Sequence, residues 1–311
     1  MNWVGLWSDM DVVAVGNLNV DLICKVDRFP REDEKLLAYE FTRTPGGGAA
    51  NFAAACSKLG LRAGFIGCVG DDDFGRWILE DLKQNDIDTS RVKIVDAPTG
   101  LVLSLSTRRM EHFLIAHRGA NLHLKPEDVD EDYLRAAKLV HASSVVEKVA
   151  RAVGGRVREL GILASLDVGA ELSTLGRGKL LRILELFDIC FMNRRAYRNV
   201  FRDRLSRASL LRNFPAGLKI LAVTLGPEGA AATDGEDVFF KPAYRVEVRD
   251  TTGAGDAFAA AFDAVWMRSG DIKRALTYAA AEAAIKVQHV GGREGLPTME
   301  ELEKFIRTHE R

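Results

Sequence analysis

Short apolar runs alternate with amphipathic stretches along most of the chain. Runs rich in β-branched residues predict buried strands at residues 12–16, 63–70, 138–143, 163–168, 188–193 and 219–226. Apolar residues at steps of three and four predict helices at residues 73–84, 127–137, 147–160 and 206–212. Strands separated by helices form right-handed crossovers. The pattern therefore predicts an α/β fold with a mostly parallel sheet covered by helices on both faces.

Two segments, residues 20–44 and 98–118, interrupt this alternation with extended stretches that lack an intervening helix. In the second segment Leu101, Leu103 and Leu105 alternate with their neighbours, and another strand follows a few polar residues later, which predicts a hairpin. The first segment is predicted to pair with this hairpin. Because so small a sheet buries little by itself, we expect it to pack on the main domain or on a partner subunit, as a lid over a site.

The end of the chain is predicted to be helical, at residues 253–268, 272–289 and 299–308. Thr298 precedes the last helix and Glu301 follows three residues later, which is the spacing of a capping box. The first of the three begins within the polar stretch RDTTGAGDAF (249–258), so this stretch forms a helix N-terminus.

That N-terminus, made of Gly253, Ala254, Gly255 and Asp256, combines an anion site with a carboxylate. Backbone N–H groups of a first helical turn lack intrahelical partners, and small residues let an anion approach them. A carboxylate there would repel a bound phosphate, unless the phosphoryl group is being transferred and Asp256 accepts the proton of the attacking hydroxyl. The structural alternative is that Asp256 stabilises the helix dipole and the glycines form a tight turn.

A second glycine cluster begins another helix, in the stretch TPGGGAANFAAACSKLG (44–60). The three glycines precede an apolar helix that stops at Gly60, and Asn51 lies in its first turns, where its side chain can face a ligand. Consecutive glycines cost backbone entropy, so close approach of a ligand is the expected reason for them. A flexible hinge for the lid is the alternative.

A third candidate lies at the exit of the first strand, in GNLNVDLI (16–23). Asn19 and Asp21 alternate there with apolar neighbours, and such amide and carboxylate groups suit recognition of vicinal hydroxyls. Asn and Asp are also ordinary turn residues, so this signal is weak alone.

Composition and charge exclude several classes of protein. The 311 residues carry a formal net charge of −1 with 28% charged residues, so no general attraction to nucleic acid or to an anionic membrane is expected. The 47% hydrophobic content suits an ordinary soluble core, and no run reaches the ~20 apolar residues of a membrane span. The chain start lacks the basic region of a signal peptide, so we expect a cytoplasmic protein.

The cysteines and histidines form no metal-binding pattern. The four cysteines are scattered in apolar segments without a CxxC pair, as is typical of reduced core thiols: Cys24, Cys56, Cys68 and Cys190. Three histidines are predicted to lie on the surface, His112, His117 and His123, whereas His141 at a strand end is a modest site candidate. Other phosphate motifs fail on spacing: Gly178-Lys179 lacks the upstream glycine of a Walker A sequence, and Phe258 replaces the third glycine of the dinucleotide fingerprint.

Taken together, these motifs resemble those of the ribokinase-like, or PfkB, family of carbohydrate and nucleoside kinases. The resemblance runs through VGNLNVD, PGGGAANFAAACSKLG, GCVGDDDFG, GAN (119–121), VTLGPEGA and DTTGAGDAFAAAF. It implies a single doubly wound α/β kinase domain over residues 1–311, with the segments 20–44 and 98–118 inserted as a β-sheet lid. It also implies ATP-dependent, magnesium-assisted transfer of the γ-phosphoryl group to a hydroxyl of a sugar, as in ribokinases and fructokinases.

The resemblance also implies roles for individual positions. Asp256 resembles the catalytic base, and the anion hole corresponds to Gly253, Ala254 and Gly255. The sugar-binding positions correspond to Asn19, Asp21, Gly47, Gly48 and Asn51. Nucleotide contacts correspond to Asn193, Thr224, Gly226 and Gly229. Two further residues match positions that help to hold a monovalent cation in many members, so K⁺ is an expected cofactor beside ATP and Mg²⁺: Asp250 and Thr252.

One position departs from the family pattern. The family usually has Asn-x-x-Glu after a central strand, and the Glu helps to order magnesium and phosphate waters. Here MNRRAY supplies Asn193, but Ala196 stands in the Glu position. Either Glu228 substitutes for the missing carboxylate, or Arg194 and Arg195 bind phosphate directly.

The sequence leaves the acceptor open between a sugar, a sugar phosphate and a nucleoside. Apolar lid residues could cover a plain sugar or stack on a nucleobase: Leu101, Leu103, Phe113 and Ile115. A basic cluster could reach a phosphate on the acceptor or form a solvated hairpin tip: Arg108, Arg109, His112, His117 and Arg118. A catalytically weak sugar- or nucleotide-binding protein on the same fold is the alternative of a different class. The exposed lid edges predict a homodimer joined through the lids.

Overall fold

The computed structural model describes residues 10–108 and 112–310, which form two sheets and the helices around them. The strands are β1 (Met10–Gly16), β2 (Asn19–Val26), β3 (Glu40–Gly46), β4 (Ala63–Gly70), β5 (Ile87–Val95), β6 (Gly100–Thr107), β7 (His112–His117), β8 (Ala137–Ser143), β9 (Leu163–Asp167), β10 (Ile189–Asn193), β11 (Ile220–Thr224), β12 (Ala230–Thr233) and β13 (Val238–Lys241). The helices are α1 (Gly48–Lys58), α2 (Asp73–Gln84), α3 (Glu131–Arg135), α4 (Glu147–Leu160), α5 (Gly169–Leu172), α6 (Arg177–Leu184), α7 (Arg194–Phe201), α8 (Arg207–Arg212), α9 (Ala254–Ser269), α10 (Ile272–Lys286) and α11 (Met299–His309).

The main sheet has nine strands in the order β13-β12-β11-β10-β9-β8-β1-β4-β5. Neighbouring strands are parallel except in the pairs β11–β12 and β12–β13 at one edge, so β12 runs opposite to the other strands. Apolar side chains of α1, α9 and α10 cover one face, and those of α4, α6 and α7 cover the other. Because parallel strands share one direction, their carboxyl ends meet at a single edge of the sheet, where loops can form a site.

The lid is a four-stranded sheet in the order β3-β2-β6-β7. Its central pair, β2 and β6, is parallel, and both outer strands pair antiparallel with it. The register places Asn19, Asp21 and Ile23 on one face of the lid, and Asp21 and Ile23 are buried there. The opposite face exposes apolar side chains to solvent, among them Phe41, Phe113 and Ile115.

Most of the predicted elements are confirmed, including all six buried strands, both lid segments and the capping box of the last helix. The predicted helix at residues 127–137 is confirmed only over its middle part, Glu131–Arg135. A single 3-10 turn occupies Pro126–Asp128, Asp130 then caps the short helix α3 through the Tyr133 N–H at 3.0 Å, and Ala137 already begins β8. The edge strands β5, β12 and β13 were not predicted from the sequence.

Of the four histidines with a predicted place, two are confirmed as surface residues and one needs a correction. His117 and His123 are exposed, and the side chain of His112 lies outside the described residues. His141, proposed as a site candidate at a strand end, is instead a core residue, 1% exposed and stacked on Phe52 at 3.7 Å between ring centroids. Within the described residues, no helix has the length and apolar character needed to cross a lipid bilayer.

A buried polar chain runs from His141 through Ser165 to Asp263. The Ser165 hydroxyl donates to Asp263 Oδ2 at 2.6 Å, so its oxygen accepts from His141 Nδ1 at 2.8 Å. Burial raises the pKa of Asp263 to about 8 and lowers the pKa of His141 to about 3. Both side chains are therefore mainly neutral at pH 7, so His141 and Asp263 do not form an ion pair.

We predict that Asp263→Asn changes how stability depends on pH. Asp263 keeps its proton up to about pH 8 when folded but loses it near pH 3.8 when unfolded. Its contribution to the free energy of unfolding therefore falls by up to ~1.4 kcal/mol per pH unit as pH rises between these values. In urea unfolding, the free energy of unfolding of Asp263→Asn minus that of the wild type should increase from pH 5 to pH 7.5. A pH-independent difference would contradict the assignment.

Candidate active site

The N-terminus of α9 lies at the carboxyl edge of the main sheet and presents a carboxylate with backbone amides. Gly253 caps the helix in a left-handed conformation, with φ 78°, and a Cβ there would collide with the Gly292 carbonyl oxygen. A Cβ at Gly255 would meet no atom within 4 Å, so this turn faces open space. Together with Ala254 and Asp256, these glycines form the turn at which the sequence analysis expects an anion to bind.

The glycine-rich start of α1 approaches the same carboxylate. Asn51 Nδ2 donates to Asp256 Oδ2 at 2.8 Å, although the two residues are 205 positions apart. A Cβ at Gly48 would lie 3.1 Å from Asp256 Oδ1, so the missing side chain leaves this oxygen accessible. Gly47 has φ 101°, and a side chain there would press on the Asn17 backbone. Close approach of chain segments, as well as room for a ligand, explains the three glycines.

The Asp256 carboxyl is poised to exchange a proton near neutral pH. Burial raises its pKa to about 7, the Asn51 hydrogen bond opposes this rise, and the negative charges of Asp167 and Asp21 add to it. Asp167, at the end of β9, itself has a pKa raised by burial to about 6. Perturbed carboxyl groups gathered at one strand edge are characteristic of an active site.

Arg293 organises this region, and the sequence analysis did not identify it. Its buried guanidinium donates to Asn51 Oδ1 at 3.2 Å and to the Gly46 carbonyl oxygen at 3.0 Å, and it forms an ion pair with Asp81 of α2. The adjacent Gly292 packs against Asn51, where a Cβ would come within 2.8 Å of the amide. The loop after α10 therefore links α1, α2 and β3 beside the base.

The lid contributes the first half of β2 to the same site. Asn19 and Asp21 follow the exit of β1, as predicted, and lie within the lid strand. Asn121 Nδ2 donates to Asn19 Oδ1 at 2.8 Å, which leaves Asn19 Nδ2 to face a ligand. Asp21 is buried with no hydrogen-bond partner for Oδ1 in the described residues, and burial raises its pKa to about 6. These groups offer one donor and one acceptor opposite Asp256.

The predicted nucleotide contacts lie further along the carboxyl edge. Asn193 and Thr224 are partners in the register of β10 and β11. Gly229 has φ 107°, and a side chain there would collide with the Lys241 carbonyl oxygen, whereas a Cβ at Gly226 would face open space. This glycine-shaped loop has room for a ligand against its backbone. It is separate from the α9 turn but opens onto the same edge of the sheet.

The position of the missing Glu is a buried alanine. Ala196 is 3% exposed, and its N–H donates to Asn193 Oδ1 at 2.8 Å, so Asn193 caps α7. Of the suggested substitutes, Glu228 and Arg194 form an ion pair with each other at 2.7 Å. Glu228 is therefore already neutralised by a cation.

Hydrogen bonds of the Asp250 side chain hold the loop before α9 in place. Asp250 Oδ1 accepts from the N–H and the hydroxyl of Thr252, at 3.0 and 2.8 Å, and Asp250 Oδ2 accepts from the Gly291 N–H at 2.8 Å. The described residues contain no group of three His, Cys, Asp or Glu side chains able to hold a metal ion.

The missed site residues differ in the signal that they left in the sequence. Asp167 ends a predicted strand, so the rule that pointed to Asn19 and Asp21 could have found it. Asn121 belongs to the GAN motif. Arg293 gave no local signal beyond its neighbouring glycines, because its partners lie up to 247 residues away.

Comparisons with known proteins agree with this geometry. The pfkB family of carbohydrate kinases matches residues 9–299. An ATP-dependent ribose-1-phosphate kinase of Halopiger xanaduensis is 34% identical over 296 residues, which cover 95% of this chain and 97% of the relative. An Arabidopsis thaliana ribokinase complexed with ribose and ATP has a similar structure, with a TM-score of 0.85 and 28% identity over 96% of this chain and 99% of the other.

A putative ribokinase II of E. coli, in complex with ATP and Mg²⁺, is also similar, with a TM-score of 0.84 and 25% identity over 96% of this chain and 100% of the other. The fold of this chain matches those of the two solved structures, and each match covers nearly the full chain. This chain therefore belongs to the pfkB family of carbohydrate kinases, which are phosphotransferases that act on hydroxyl groups.

Proposed function

We propose that this protein transfers the γ-phosphoryl group of ATP to a hydroxymethyl group of a sugar, with Asp256 as the general base. The observation that carries this proposal is the Asp256 carboxyl at the N-terminus of α9, with one oxygen held by Asn51 and the other free. A module that only bound sugar would not need a base beside an anion-binding turn.

The oxygen of Asp256 that Asn51 does not bind is the one that receives the proton in this proposal. Asp256 Oδ1 accepts the proton of the acceptor hydroxyl while that oxygen attacks the γ-phosphorus. The bond between the γ-phosphorus and the bridging oxygen breaks, and ADP leaves. The amides of Gly253, Ala254 and Gly255 stabilise charge on the transferred group. Mg²⁺ bound to ATP neutralises phosphate charge.

The acceptor binds between the lid and α1. Asp21 accepts from a sugar hydroxyl through its unpaired Oδ1, and Asn19 donates to a neighbouring hydroxyl through Nδ2. Gly47 and Gly48 let the sugar lie against the chain, close to Asp256. The ribose and ribose-1-phosphate named for two related proteins make a pentose, with or without a phosphate, the first acceptor to test.

The donor nucleotide binds along the loop of Gly226 and Gly229, with Asn193 and Thr224 beside its phosphates. A K⁺ ion is proposed at the loop of Asp250 and Thr252. Its backbone is ordered by the hydrogen bonds of Asp250, and carbonyl oxygens next to an anion site suit a monovalent cation.

We expect Asp256→Asn to lower turnover by roughly 10²- to 10⁴-fold, because it removes the base and leaves the nucleotide contacts intact. ADP release from ATP and Mg²⁺ is measured with pentoses, pentose phosphates, hexoses and nucleosides, with and without K⁺. Asp263→Asn is the matched control, because it makes the same change on the same helix outside the site. Equal activity of Asp256→Asn and wild type would refute the role of the base, and equal rates with and without K⁺ would remove the cation site.

The pH profile gives a second signature of the base. Asp256 must be ionised to accept a proton, and its pKa is raised to about 7. We therefore expect kcat/KM to fall about tenfold for each pH unit below this value and to level off above it. Enzyme preincubated at each pH and assayed at pH 8 separates titration from unfolding. A profile that is flat from pH 5 to 8 would contradict the assignment.

We also propose a homodimer joined through the lids, because one face of each lid leaves Phe41, Phe113 and Ile115 exposed. A second copy would cover this face. Light scattering should give twice the chain mass at micromolar concentration. Ile115→Lys should shift it to the monomer, whereas Leu122→Lys, an exposed position outside the lid, should not. Monomer alone for the wild type would remove this proposal.

A further inference from the structure

A cavity with several charged side chains lies on the face of the main sheet opposite to α9. It has a volume of about 490 Å³ and lies between α7, α8 and β13, whose apolar residues belong to the other core layer. Its polar lining consists of four arginines, one glutamate and one serine: Arg194, Arg198, Arg204, Arg207, Glu228 and Ser206. Four cations and one anion give this basic cavity a formal charge of +3.

The positive charge of the basic cavity is only partly neutralised from within the protein. Arg194 forms an ion pair with Glu228 at 2.7 Å. The positive charge of Arg198 also acts on the Glu228 carboxylate and helps to lower its pKa. Arg207 reaches Asp237 at 3.5 Å, an exposed pair. Arg204 makes neither a hydrogen bond nor an ion pair in the described ranges. Guanidinium groups in this arrangement suit a phosphate group, which they bind through paired N–H donors.

The remaining lining is apolar. Leu205, Leu210 and Val238 form part of the wall, and the ring of Phe240 stands 57% exposed beside them. An exposed aromatic ring next to arginines can stack on a planar group of a ligand. The volume falls within the range of small-molecule sites, about 300–1,000 Å³. A ligand that carries both a phosphate and a planar group is a nucleotide.

We propose that the basic cavity binds a nucleoside monophosphate, at a site distinct from the donor nucleotide. The arginines hold the phosphate, and Phe240 and its apolar neighbours hold the base. Because α9 packs on the opposite face of the sheet, the bound molecule is not in reach of Asp256 and acts as an effector rather than a substrate.

The basic cavity is joined to the donor site by one ion pair. Glu228 lies between Gly226 and Gly229 in the proposed nucleotide loop, and Arg194 also donates to the Leu225 carbonyl oxygen at 3.4 Å. A phosphate bound in the basic cavity competes with Glu228 for Arg194 and so changes the contacts of this loop. The effector should therefore alter the KM for ATP rather than proton transfer.

The test uses AMP as the probe and titration calorimetry as the readout. The full-length protein is first saturated with Mg²⁺ and a non-hydrolysable ATP analogue, so that the donor site is filled. We expect one further AMP to bind per chain. Arg198→Ala/Arg204→Ala should weaken this binding at least about tenfold, because each arginine supplies charge-assisted hydrogen bonds.

A charge-matched control separates the site from general electrostatics. Arg182→Ala/Arg268→Ala removes two exposed arginines elsewhere and should bind AMP as wild type does. The proposal is overturned if AMP does not bind to the analogue-saturated protein, or if both double variants bind it equally well. It is also overturned if inorganic phosphate binds as tightly as AMP, because the apolar wall would then have no part in recognition.

Discussion

A buried guanidinium, that of Arg293, determines how the acceptor side of the site is arranged. A buried charge is costly unless partners surround it, and this one has a carboxylate, a carbonyl oxygen and an amide oxygen. Because guanidinium only donates, Asn51 must turn its oxygen toward Arg293 and its amino group toward Asp256. That orientation occupies Asp256 Oδ2 and leaves Oδ1 for the acceptor hydroxyl of the proposed reaction. In that proposal, the position of the reacting proton depends on a residue that does not touch it.

The same arrangement shows how two glycine clusters serve one carboxylate. The turn before α9 needs Gly253 because its backbone is left-handed and pressed against Gly292, and α1 needs Gly48 because a side chain would cover Asp256 Oδ1. Three helices and a lid strand meet there, and their polar groups lie at the carboxyl edge of one parallel sheet. The fold determines that the N-termini of α1 and α9 meet there, and the glycines determine how closely they approach each other.

Sequence reasoning found what local patterns determine. Buried parallel strands and the helix starts at Gly48 and Ala254 have strong periodic or glycine signals, and the family resemblance was confirmed. Edge strands were missed because β5 is mostly exposed or half-buried, without a regular apolar pattern, and β12 is built largely of alanine. Arg293 was missed and His141 misplaced for a related reason. Burial and contacts between distant segments depend on packing, which a linear pattern does not encode. Most site assignments therefore rested on the resemblance.

The parallel pairing of β2 with β6 has a consequence for how the chain folds. Asn19 is aligned with Gly100, and the intervening residues include β4, α2 and β5 of the main sheet. Such a pairing closes a long loop, and loop closure costs conformational entropy. The pairing becomes favourable only after the main sheet has brought the starts of β2 and β6 together. The lid therefore assembles late, and its apolar strands stay uncovered until then. We therefore expect the acceptor site to form late in folding, after an interval in which apolar lid strands are exposed to aggregation.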